Sequence, residues 1–370
     1  MPSEVTVFVC GDVMTGRAID QVLAHPSNPQ IHEPHAESAI EYLELAESAH
    51  GKIAKPVSPS YIWGEALAEL TRAGPAARIV NLETAVTTSE DWEAKGINYR
   101  MHPGNVPCLT AAGISCCALA NNHALDWGRR GLRETIEVLR DAGIQTAGAG
   151  HNRVEAETPA LVDVPGGARL LVFAVGARDS GIPSDWAAEP VGRPGIDFIS
   201  DYSAATAAYI GRRVRSFKRP NDIAILSIHW GGNWGYRIAP EHSVFAHRLI
   251  DDGGVDIVHG HSSHHPKGIE VYQGKPILYG CGDFINDYEG IPGHGEFRSH
   301  LVLMYFVTVD PATGHLLRLE MTAFEMKQFR LLRAGKDDSE WLRATLTREA
   351  ELLGTGVMKA PGGGRFILHW

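Results

Sequence analysis

Apolar residues in this chain fall into short runs separated by stretches of helical periodicity. The runs Val5–Cys10, Arg78–Asn81, Ser115–Ala120, Leu170–Val175, Asp222–Ile228, Val255–Val258, Pro276–Tyr279 and Leu301–Val309 predict strands. Between and after them, Glu37–His50, Gly64–Arg72, Gly131–Ala142, Asp201–Lys218, Glu241–Asp252 and Glu340–Leu353 predict helices. Gly74-Pro75 and Gly143 end two of these helices. Strands alternating with helices predict an α/β layered architecture. No internal repeat or low-complexity linker interrupts the order. The expectation is one catalytic domain over 1–325, an extension over 326–370 packed on it, and a Pro/Asp-rich embellishment at 178–200.

The loop entered at each strand end is more informative than the strand itself. Val5–Cys10 leads into Gly11-Asp12-Val13-Met14, and Arg78–Val80 into Asn81-Leu82-Glu83-Thr84. Ser115–Ala120 leads into Asn121-Asn122-His123-Ala124-Leu125-Asp126, and Asp222–Ile228 into His229-Trp230-Gly231-Gly232-Asn233. Val255–Val258 leads into His259-Gly260-His261-Ser262-Ser263-His264-His265, and Pro276–Tyr279 into Gly280-Cys281-Gly282-Asp283-Phe284. Each loop receives Asp, Glu, Asn or His. In layered α/β folds the carboxyl ends of strands form the ligand crevice, so these groups are expected to converge.

Composition narrows the function classes. The chain has 370 residues, 44% hydrophobic and 21% charged, enough for a sizeable core. Its formal net charge of -10 argues against a general nucleic-acid binder. No apolar stretch is long enough to span a membrane. The start, MPSEVTVFVCGD, enters a strand without a basic and then apolar leader. A cytoplasmic chain with no membrane anchor is the expectation. The five cysteines, Cys10, Cys108, Cys116, Cys117 and Cys281, form no CxxC and read as buried reduced thiols. The 18 histidines concentrate in the polar loops, which is where chemistry is to be sought.

Asp, Glu, Asn and His without thiolates describe a borderline-to-hard divalent cation site. Each residue also has a plainer structural reading. Asp12 suits a turn or helix cap, Asn121 and Asn122 suit turns, and Asp126 suits the start of the next helix. His229 suits a satisfied strand end, and at least two of His259, His261, His264 and His265 are expected to be structural. Trp63, Trp234 and Tyr236 suit core or rim positions.

The segments GDVMTGR, NLET, ANNHALDWG, IHWGGNWGY, HGHSSHHPKGIEVY and GKPILYGCGDFINDYEGI resemble the CapA/PgsA-type proteins named for poly-γ-glutamate capsule synthesis. These form a branch of the calcineurin-like metallophosphoesterase superfamily, and the resemblance runs from about residue 5 to 310. It implies a four-layer α/β sandwich with mixed sheets and an active site at the strand carboxyl ends. It also implies a divalent metal, Ca, Mn or Zn, with Asp12, Asn122, His123, His229 and His264 in ligand and catalytic positions. Glu83 stands where the second, metal-bridging acid does, and His261 is a further ligand candidate. The sequence departs from the pattern in three places: Met14 replaces an imidazole, Glu83 replaces an Asp, and the final Gly-His-x-His is stretched over Gly260–His264. Losing an imidazole argues for one ion rather than two, and against efficient phosphatase action.

A single ion among surplus His and Asp suits proton transfer beside a carbonyl. His123 with Asp126 or Asp12 is the candidate for one base, and His264 or His294 for the other. Arg17 is the candidate for a substrate carboxylate, and Trp230, Trp234 and Tyr236, with Trp127, for an aromatic-lined cleft. The resemblance extends to the peptide epimerases of lasso-peptide biosynthesis, which invert the C-terminal residue of a precursor peptide. That reading makes the partner a peptide substrate. Two rivals stand beside it: a metal-dependent hydrolase of a phosphoester or of a γ-glutamyl or peptide amide, and a non-catalytic subunit of poly-γ-glutamate biosynthesis.

Overall fold

The computed structural model describes residues 4–291, 293–361 and 364–370. Pro292, part of the segment that presents His294, lies outside them. The run expected at Val5–Cys10 extends to Val13 and lies in the interior of a ten-stranded mixed sheet. It pairs in parallel with Ala77–Leu82 and Asp283–Ile285, and antiparallel with Leu301–Val309. Cys116–Ala118 and Gln145–Ala147 continue the parallel side. On the other side come Leu316–Lys327, Phe366–His369 and Gly356–Lys359. The residues after 325 thus contribute strands to this sheet, with the helix Lys336–Glu351 between them.

A seven-stranded second sheet is centred on Arg169–Ala177, Ile223–His229 and Ile257–His261, all parallel. Side-chain alternation shows how the sheets stack. Leu170, Val172 and Ala174 point into a core shared with Val7, Val9 and Ile79 of the larger sheet. Leu171, Phe173 and Val175 point the other way, onto Ile210, Val214, Phe245 and Leu249 of the helices Ala204–Phe217 and Pro240–Asp251. Leu70, Leu132, Ile136 and Leu139, from Ala66–Ala73 and Gly128–Asp141, cover the larger sheet. The result is helices, sheet, sheet, helices: the expected four-layer α/β sandwich.

Differences from the sequence reading have local causes. The first long helix begins at Ala39, where Ser38 and Glu41 form a capping box, because Ala36–Ser38 is held as a strand against Gln30–Glu33. The strand expected over Val255–Val258 instead runs Ile257–His261, carrying His259 and His261 into the sheet. All five cysteines are buried and free, as expected. No helix among the described residues is long and apolar enough to cross a membrane.

Candidate metal centre

The centre forms where the pairing of Val5–Val13 with Ala77–Leu82 shifts register between Val9 and Asp12 and the strand end meets Asp283. Gly11 packs so tightly on the neighbouring chain that a Cβ there would lie 1.6 Å from the Gly282 carbonyl oxygen. The Asp12 amide donates to that same oxygen at 3.0 Å, which sets Asp12 beside Asp283 in register. Asp12 is fully buried. Its Oδ1 accepts from Asn81 Nδ2 at 2.8 Å and its Oδ2 from the Ser262 amide at 3.2 Å. Asn81 is held in turn by Asn121, whose Nδ2 donates to Asn81 Oδ1 and to the Leu82 carbonyl.

The second sheet brings imidazoles to the same place. His229 and His261 end adjacent strands in register, and their Nδ1 atoms lie 2.8 Å apart. His261 Nδ1 is 3.8 Å from Asp12 Oδ1. Donor atoms of Asp12, His229 and His261 all fall within 4.8 Å of one another, close enough to share one ion. His259 instead serves structure: its ring bridges Ser227 Oγ and the Cys10 carbonyl, tying the sheets together. His265 is also largely structural, stacked on Phe297.

Two His–carboxylate pairs flank this cluster. His123 Nδ1 lies 2.6 Å from Asp126 Oδ2, and His123 Nε2 lies 3.6 Å from Glu83 Oε1. Lys95 Nζ reaches Asp126 Oδ1 at 2.7 Å and also bonds the Asn122 carbonyl. His264 Nδ1 lies 2.8 Å from Asp283 Oδ1, and Asp283 Oδ2 accepts from Asn286. Met14, standing where an imidazole was missing, is buried with its sulfur 3.5 Å from the Tyr288 hydroxyl.

The electrostatics ask for a cation. Burial and the Asp283 carboxylate push Asp12 up to about 7. Burial and Asp12 raise Glu83 well above the usual carboxylate range. Burial above all, then neighbouring imidazoles and, for His229, Lys95, hold His229 and His261 far below the usual imidazole value, and burial takes His123 to about 4 despite Asp126. Among these imidazoles only His264 moves upward, since Asp283 outweighs its burial. Glu83 Oε2 and Asn122 Oδ1 are buried acceptors with no partner among the described residues. Orphaned oxygens, crowded acids and neutral imidazoles fit a divalent ion held by Asp12, His229 and His261, with Glu83 against Asp12.

A cleft of about 410 Å³ opens onto His264. Arg17, Trp234 and His294 line it, and Trp234 and His294 stack at 3.9 Å. Tyr236 lies behind, against His265 and Phe297. Trp230 does not reach the cleft: it is 2% exposed, stacked between His242 and Tyr279. Trp127 is buried under Arg100. Arg17 is already engaged, with Nε and Nη2 on Asp287 at 3.0 and 2.5 Å and Nη1 on Glu33 at 3.0 Å. Lys95, Asp283, Tyr42, Tyr99 and Tyr288 were not singled out from sequence. Asp283 had a signal, since its Gly-Cys-Gly-Asp segment ends a strand like the others; Lys95 had none.

The family described as "Bacterial capsule synthesis protein PGA_cap" matches residues 6–288, which spans every strand end in the cluster. The chain belongs to the PGA_cap family. This PGA_cap chain is similar to a Mycobacterium tuberculosis (strain H37Rv) protein named "Probable polyglutamine synthesis accessory protein", 49% identical over 97% of this chain and 95% of that one. It is also similar to the "PGA biosynthesis protein CapA" of Bacillus subtilis, 24% identical over 92% and 76% of the two chains. A solved Mycoplasma pneumoniae phosphatase overlays with a TM-score of 0.47 at 11% identity, covering 92% of this chain and 98% of that one. His294 lies beyond the PGA_cap match.

Proposed function

We propose that this PGA_cap protein is a metal-dependent enzyme that works by acid–base chemistry on an amide-linked chain, cleaving or transferring an amide bond of a peptide or glutamyl-type polymer. The observation that carries the reading is the buried Asp12–His229–His261 cluster flanked by the pairs His123–Asp126 and His264–Asp283. The name of the Mycobacterium tuberculosis relative supports a polyamide substrate.

When bound, a divalent ion would polarise a carbonyl and ease deprotonation of an associated water. The remaining steps belong to side chains. Asp126, fixed by Lys95 and the Tyr99 amide, holds the proton of His123 on Nδ1 and leaves Nε2 facing the centre. Asp283 does the same for His264, whose ring borders the cleft. One imidazole can therefore take a proton from the attacking group while the other gives one to the departing nitrogen. The same two pairs favour a second reading, inversion of an α-carbon by removal and return of its proton, as in a lasso-peptide epimerase.

One experiment separates the two. Metal-stripped chain is reloaded with Mn, Zn or Ca and incubated with poly-γ-glutamate and with glutaminyl peptides in D₂O. New amine termini that disappear in His123→Ala support amide cleavage. Deuterium at an α-carbon without cleavage supports inversion, and neither outcome with any metal refutes the enzyme reading.

A further inference from the structure

Two phenol hydroxyls meet between the two His–carboxylate pairs. Tyr99 Oη and Tyr288 Oη lie 2.9 Å apart, and both residues line the cleft beside His264. The Tyr99 ring packs edge-on with His123 at 4.4 Å, and the Tyr288 ring edge-on with His264 at 5.5 Å. The hydroxyl pair thus links the two imidazoles that the proposed reaction employs. The Arg17 guanidinium lies over both rings, 4.7 Å from Tyr99 and 5.9 Å from Tyr288, and holds them in place.

A count of protons shows what this pair has to offer. Each neutral phenol carries one O–H to donate. One of the two protons is spent on the other hydroxyl's oxygen. The remaining one has only the Met14 sulfur, 3.5 Å from Tyr288 Oη, and a thioether is a weak acceptor. Among the described residues nothing else bonds either hydroxyl. Tyr99 is 1% exposed, whereas Tyr288 is half-buried, so the poorly used proton is the one that Tyr288 can turn to the cleft. A strong donor fixed in a cleft wall, with only sulfur to bond, is ready for an oxygen that arrives with the ligand.

We propose that Tyr288, with Tyr99 behind it, forms an oxyanion-binding site: the Tyr288 hydroxyl donates to the oxygen of the reacting carbonyl as that oxygen gains negative charge. Attack on an amide carbon puts charge on this oxygen, and so does removal of an adjoining α-proton, so the site serves either reaction. Tyr288 is the catalytic residue because it touches the oxygen. Tyr99 is a positioning residue, which donates to Tyr288 Oη and so frees the Tyr288 proton for the ligand. The inference rests on the two His–carboxylate pairs forming the reacting centre.

The test is binding without turnover. Full-length, metal-loaded chain is titrated calorimetrically with two stable analogues of a γ-glutamyl-glutamate dipeptide. In one, a phosphinate, P(O)(O⁻)–CH₂, replaces the amide and mimics the charged oxygen. In the other, a ketomethylene, C(O)–CH₂, keeps that oxygen neutral. Phenylalanine preserves each ring, so Tyr288→Phe removes the hydroxyl alone. It should weaken the phosphinate at least about tenfold and the ketomethylene less than about twofold. Tyr99→Phe should weaken the phosphinate about threefold and leave the ketomethylene unchanged. Equal loss for both analogues, no loss in Tyr288→Phe, a larger loss in Tyr99→Phe, or no phosphinate binding by the parent chain would each overturn the proposal. Hydroxyl-dependent phosphinate binding by a chain that neither cleaves nor exchanges would sink the enzymatic reading and leave the site standing. Undiminished turnover in Tyr288→Phe would do the reverse.

Discussion

At the scale of single residues, Asp283 matters through the ring it holds. Its Oδ1 anchors His264 Nδ1, and Asn286 occupies its other oxygen. Losing such a supporting carboxylate typically costs about 10–100-fold in metal affinity or activity. Asp283→Asn should therefore weaken metal binding or turnover by about that factor while the fold persists, as calorimetric titration and circular dichroism would show. Asp179 offers a check away from the centre. Burial would raise its carboxyl, but bonds from His242, Tyr202 and the Gly231 amide outweigh this and bring it to about 2. Its folded value lies below its ordinary 3.8, so its stabilisation is full above that pH and is lost as pH falls toward about 2. Urea midpoints should drop over that window, and Asp179→Asn should flatten the drop. An unchanged profile would refute the assignment.

At the scale of elements, the strand ends were readable and the lateral partners were not. Asp12, Glu83, Asn122, His123, His229 and His261 each follow an apolar run, and a parallel sheet must deliver such positions to one edge. Lys95 sits in an aperiodic loop, and its approach to Asp126 depends on how that loop folds back. Arg17 starts a helix of only 6 residues, too short for a periodic signal, so nothing in the sequence showed that Glu33 and Asp287 would claim its charge. Trp230 follows His229 directly, and adjacent strand residues face opposite ways, which put it in the core. The final strands were missed because charged residues interrupt Leu316–Lys327 and the runs after it are only 4 residues long. The close approach of Gly11 to Gly282 is the element-scale feature most open to test. Gly11→Ala would drive a methyl into the Gly282 carbonyl. We expect about 1–3 kcal/mol of destabilisation, read by denaturant unfolding, together with weaker metal binding. An unaffected variant would show that this close approach does not position Asp12.

At the scale of the whole molecule, the centre lies where the two sheets meet, so an ion there joins both halves of the sandwich. Binding only to the folded chain should stabilise it by about 2.7 kcal/mol at an ion concentration one hundred times Kd, and a chelator should lower Tm accordingly. The pH dependence comes from Asp12, whose folded value of about 7 exceeds its ordinary 3.8. Without the ion, the stabilisation from its protonated form is full below pH 3.8 and is lost as pH rises through about 7. Ion binding needs the carboxylate, so affinity should strengthen over the same rise. A chelated chain should lose Tm as pH rises through about 7 while a loaded chain does not. Parallel curves would argue that no ion sits against Asp12.

The position of Val5–Val13 also has a consequence for synthesis. One flank of this strand pairs with Ala77–Leu82, but the other waits for Leu301–Val309, which leaves the ribosome some three hundred residues later. Until then a nearly all-apolar ribbon is half clothed, and its exposed edge invites other nascent chains. A polypeptide that closes its innermost seam this late gains from factors that shield the open edge during translation.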